Sequence, residues 1–171
     1  MKNRRKKGFT FVETLVALMI VSMLSLVVMT GIKTAWNAHD DALFASESEI
    51  LADTINTSLG DLFHYASYDK TEDGTVRFSS QEYGVLRGAM VVDDKGRLYV
   101  MTTESESGSK LQLVNDGAYT NITIEDFELD YDSDNAVFTG SYTLKGSRDQ
   151  SKDFTFTFAP INPSNILSDN S

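Results

Sequence analysis

The sequence predicts an α+β protein: one long N-terminal α-helix, its first half transmembrane, packed on an antiparallel β-sheet head. Three observations predict it. An apolar run fills residues 9–32 with a single charge, Glu13. The next thirty residues repeat apolar side chains at helical spacing. Beyond residue 65, short β-type runs alternate with turn residues. The 171 residues, 41% of them hydrophobic, with 10 Phe, 7 Tyr and 1 Trp, suffice for one modest core plus an extra element. Cysteine is absent, which excludes a disulfide scaffold and a thiolate metal site.

Residues 1–8 form a basic leader. Lys2, Arg4, Arg5, Lys6 and Lys7 crowd it, whereas residues 33–171 hold 10 Lys and Arg against 24 Asp and Glu. Nucleic-acid binding runs on cations that neutralise phosphates, so the acidic body predicts no broad nucleic-acid surface.

Residues 9–32 form the second element, FTFVETLVALMIVSMLSLVVMTGI. As a helix this stretch reaches roughly 36 Å, enough for a hydrocarbon core of about 30 Å. It is apolar on every side, which means lipid or complete burial in protein. It is longer than the apolar core of a secretory signal, and KTAWNAHDD after it is a poor cleavage site. The basic leader places the N-terminus in the cytoplasm and the rest outside the cytoplasmic membrane. Glu13 sits about one turn inside the span, where a carboxylate needs a partner. The leader, or an α-amino group freed by a nearby cut, would supply one.

Residues 33–63 continue the helix as an amphipathic segment. Trp36, Leu43, Phe44, Ile50, Leu51, Ile55, Leu59, Leu62 and Phe63 recur mostly at spacings of 3, 4 and 7, with acids mostly on the other side. The only prolines are Pro160 and Pro163. One helix from Phe9 to about Phe63 is predicted, roughly 82 Å long. Residues 64–160 form the β head. Its runs are TVRFSS, VLRGAMVV, RLYVMTT, KLQLV, YTNITIEDFELDY, AVFTGSYTL and KDFTFTFA, with turns at residues 93–96, 132–135 and 146–149. Residues 161–171 are a polar tail.

The N-terminal residues resemble a known family. A basic leader ending in Gly8, then Phe9, then an apolar helix with Glu13 as the fifth residue after that Gly, is similar to the processing signal of type IV pilins and type II secretion pseudopilins. The resemblance implies cleavage between Gly8 and Phe9 by a prepilin peptidase, N-methylation of Phe9 by the same class of enzyme, and a role for Glu13 in filament assembly through the Phe9 amine. It implies other pilin or pseudopilin subunits as partners, the cytoplasmic membrane as the store, and a pilin-like fold. No proline falls within the helix, unlike in many major pilins, which favours a minor subunit. LADTINTSLGDLFHYASYD resembles the J-type minor pseudopilins and their pilus counterparts, and Glu13 argues against the K type, which usually lacks that acid. Pilus, secretion pseudopilus and DNA-uptake filament share this one signal.

No enzyme is expected. His39 and His64 stand outside any ligand spacing, and no G-x-S-x-G, P-loop or G-x-G-x-x-G occurs. Asp130, Asp132 and Asp134 open like a calcium loop, but Asn135 and Ser141 stand where that loop needs Gly and Glu, so an acidic turn is expected. No cofactor or metal is expected. The competing reading is a single-pass anchored extracellular binding or sensor module.

Overall fold

A computed structural model describes residues 10–72, 74–104 and 108–161. The chain divides after Leu43 into two units. One helix, α1 (Phe11–His64), runs through both. Its predicted first residue, Phe9, lies outside the described residues, as do the basic leader, Gly8 and the tail beyond residue 161.

In the first unit every described residue is exposed except Asp40, which is half-buried. The apolar side chains from Phe11 to Ile32 have no protein around them; Leu18 and Met29 are 64% and 73% exposed. In the second unit the same helix turns amphipathic. Ser48, Leu51, Ala52, Ile55, Leu59, Leu62 and Phe63 are buried. That spacing of 3 and 4 lines one face. Ile50 was expected on this face and is 65% exposed, because its position falls outside the 48–51–55–59–62 stripe. Trp36 and Leu43, in the first unit, are also exposed.

The head holds two antiparallel sheets. The first has the order β1 (Ser67–Glu72), β2 (Thr75–Ser80), β3 (Val85–Val92), β4 (Leu98–Met101) and β5 (Lys110–Gln112). The chain leaves this sheet through a short 3-10 turn, Asp116–Ala118, capped by the Asn115 side chain. It then enters the second sheet: β6 (Ile122–Asp132), β7 (Val137–Gly146) and β8 (Ser151–Phe158).

The β3–β4 turn follows the predicted pattern. Asp93 Oδ1 accepts from the N–H of Lys95 and of Arg97, and Gly96 takes φ +68°, a left-handed conformation natural to glycine. The Gly96 carbonyl then accepts from the Ile124 N–H at 2.8 Å, which ties the first sheet to the start of β6.

The core lies among the helix and both sheets. Phe63 stacks on Phe138 at 4.6 Å between ring centroids and meets Phe78 edge-on at 5.2 Å. Along β8, Phe154, Phe156 and Phe158 turn inward while Thr155 and Thr157 face solvent, the period of 2 that FTFTF predicts.

Candidate functional site

The N-terminal turn of α1 carries the described part of the site. Thr10 precedes the helix and Glu13 lies in its first turn. Glu13 Oε2 accepts from the Thr10 backbone N–H at 2.9 Å and from the Thr10 hydroxyl at 3.0 Å. The Glu13 N–H donates to Thr10 Oγ1 at 3.3 Å. This reciprocal pair is a capping box: each side chain satisfies a backbone donor that the first helical turn leaves open. The carboxylate also sits at the positive end of the helix dipole.

The sequence suggests a charged partner for Glu13; the structure adds a neutral, local one in Thr10. The signal was present as Thr10-Phe11-Val12-Glu13, a T-x-x-E directly before an apolar run. Glu13 thus has a structural reason to be an acid. Its Oε1 has no hydrogen-bond partner among the described residues. Gly8 and Phe9, the expected cleavage and methylation residues, lie outside the described residues.

The polar groups of the span are closed within the helix itself. Thr14 Oγ1 donates to the Thr10 carbonyl, Ser22 to Leu18, Ser25 to Val21, Thr30 to Leu26 and Val27, and Thr34 to Thr30. Every hydroxyl from Thr14 to Thr34 therefore finds a carbonyl three or four residues back. In an apolar medium that is the only inexpensive solution, because no water is there to take the proton. Among the described residues this is the one helix long and apolar enough to cross a membrane.

The remaining candidates divide differently. The Asp130–Asp134 stretch is a turn built on Asp132. Its carboxylate accepts from the N–H of Asp134 and Asn135 and from the Asn135 side chain. The Asn135 bonds hold the Asp132 carboxyl below the usual carboxylate range. His39 and His64 are both exposed.

Residues 3–29 match the family described as the prokaryotic N-terminal methylation motif. The match takes in Gly8, Phe9, Glu13 and most of the span, and it leaves the head unmatched. The N-terminus therefore carries the prepilin methylation motif, consistent with a type IV pilin-like chain, and the motif and the apolar helix together support membrane anchoring. No curated protein and no solved structure matches the chain at a significant level.

Proposed function

We propose that this chain is a type IV pilin-like subunit of the minor class. It waits in the cytoplasmic membrane with its N-terminus inside and its head outside. A prepilin peptidase cuts between Gly8 and Phe9, and Phe9 is N-methylated. The subunit then joins a filament through α1, as part of a pilus, a secretion pseudopilus or a DNA-uptake device.

The observation that carries this reading is the methylation motif placed directly on a helix whose apolar side chains have no cover of their own. The chemistry of Glu13 agrees with it. An ammonium and a carboxylate in low dielectric attract strongly, and either left alone is costly. Oε1 of Glu13 offers the Phe9 amine of the same or a neighbouring subunit its counter-ion while Oε2 keeps the Thr10 cap. A minor class is favoured by the absence of proline from α1.

The test is the intact mass of the protein purified from membranes. Loss of residues 1–8 together with the gain of one methyl group supports the proposal. A full-length, unmethylated chain overturns it in favour of a single-pass anchored module. Glu13→Ala is expected to leave cleavage unchanged and to abolish incorporation into filaments.

A further inference from the structure

Lys33 is the only Lys or Arg between Lys7 and Lys70, and Trp36 is the only Trp in the chain. Both stand on α1 within the first unit, just past the apolar run. Lys33 is exposed, and Trp36 is 63% exposed. Residues three apart on a helix share a side, so the ammonium and the indole lie together. Ile32, one turn before Trp36 and also exposed, joins that side to the span.

Their height along the helix gives them a meaning. The 19 residues between Glu13 and Lys33 carry no charge. From one to the other the helix rises about 30 Å, the thickness of a bilayer's hydrocarbon core. A tilt of about 20° shortens that height by only about 2 Å. Headgroups add roughly 5–7 Å on each side of the core. Trp36 stands about 4.5 Å beyond Lys33 and falls inside that layer. Asp40, the first acid after the span, stands about 10 Å beyond Lys33 and clears it.

Each group suits the headgroup layer. The Lys33 stem lies along hydrocarbon while its ammonium meets lipid phosphate. An indole buries its apolar body against acyl chains and keeps its N–H at the polar edge, which is why Trp gathers at membrane interfaces. Asp40, Asp41, Glu47 and Glu49 follow with no Lys or Arg among them, and an anionic lipid surface repels them. Lys33 is therefore the electrostatic hold of this stretch on lipid phosphate, and Trp36 is its apolar one.

We propose that Lys33 and Trp36 form a collar that docks in the phospholipid headgroup layer and fixes the depth of the span. This rests on the membrane-anchored reading above. With the collar held at one face of the bilayer, the length of the apolar run sets Glu13 at the hydrocarbon edge of the other. That is the edge at which the leader would be cut, so a collar on the far side positions the processing site on the near one. The partner of the collar is a lipid surface, not a second copy of the chain.

The experiment uses the full chain in vesicles of phosphatidylcholine and phosphatidylglycerol, with lipids brominated either near the headgroup or near the end of the acyl chain. Trp36 reports its own depth by fluorescence, because the chain has no other Trp. Shallow bromines are expected to quench it strongly, deep ones weakly, and acrylamide in the water only in part. Lys33→Glu should lose most of the shallow quenching and gain acrylamide access, and that loss should shrink when phosphatidylglycerol is left out. Strongest quenching by deep bromines, free acrylamide access without lipid quenching, or shielding from both as in a contact with another protein overturns the collar. A Lys33→Glu chain that quenches like the unaltered one overturns it too. A second reporter, Trp36→Phe combined with Leu24→Trp, keeps the two readings apart. Leu24 lies near the middle of the run, so deep bromines should quench that variant most. If they do while Trp36 fails its own test, the collar alone is defeated. If they do not, the membrane-anchored reading falls with it.

Discussion

The first unit and the head solve the same problem in opposite ways. Both are rich in apolar side chains. In the head, Leu51, Ile55, Leu59, Leu62 and Phe63 close against Phe78, Phe138 and Leu144, and all of these are at most 1% exposed. In the first unit the hydroxyls from Thr14 to Thr34 are satisfied and the apolar side chains of the span are not covered. Backbone and hydroxyls are closed within the helix, while Phe11 through Ile32 face outward. The head carries its own solvent-excluding partner in its sequence, whereas the span must find one in lipid or in other helices.

That contrast can be broken most forcefully at Phe63. It is fully buried and touches the rings of Phe78 and Phe138. Phe63→Ala is expected to cost the head about 3–5 kcal/mol, a combination of lost burial and the cavity left behind. Guanidinium titration of the full chain in detergent would show it as an earlier loss of head fluorescence, with the helical signal of the span retained.

A smaller effect is expected at Tyr142. Its hydroxyl donates to the Ala52 carbonyl at 3.3 Å and to Asn56 Oδ1 at 3.1 Å, tying β7 to α1. Tyr142→Phe is expected to cost about 1 kcal/mol. Burial raises the Tyr142 hydroxyl pKa above its ordinary value. A group whose folded value is raised contributes stability that is fully present below its ordinary value, about 10 for Tyr, and is lost as pH rises beyond it. The head of the unaltered chain should weaken above about pH 10, and Tyr142→Phe should weaken less steeply there. Equal slopes in denaturant titrations at neutral and alkaline pH would remove Tyr142 from the account.

Thr10→Ala tests the other region. It removes both the hydroxyl that caps Glu13 and the acceptor for the Glu13 N–H, and the helix start is expected to lose about 1 kcal/mol. Amide exchange should quicken in the first turn of α1 and remain unchanged in the head. The smallest effect is expected at Leu24, which is 59% exposed. Leu24→Ala should shift head stability by less than about 0.5 kcal/mol, as for a surface position. A larger shift in head unfolding would mean that the span packs on something within the chain.

The two regions also differed in how plainly the sequence announced them. The span was legible from length and lack of charge. In the head, TVRFSS and VLRGAMVV fall on β2 and β3 residue for residue, because apolar and β-branched side chains mark them. Strand β1 was missed. SYDKTE has no apolar period, and its residues are half-buried or exposed, so only pairing with β2 makes it a strand. The division into two sheets was equally hidden, since it depends on the short β5 and the turn after it, not on any strand's own composition. At the site, the charge of Glu13 points to a cation in the adjacent leader or at a freed amine, and the hydroxyl three residues before it is easily passed over.

The closed hydroxyls of the span have a mechanical consequence. Thr14, Ser22, Ser25, Thr30 and Thr34 all spend their protons on their own backbone, so the flank of the rod offers its surroundings only smooth hydrocarbon. Sliding it lengthwise past an adjacent rod ruptures no lateral hydrogen bond, so long as the apolar flank stays covered. A polar catch against such slippage therefore belongs at an end, where Glu13 stands at one and Lys33 at the other.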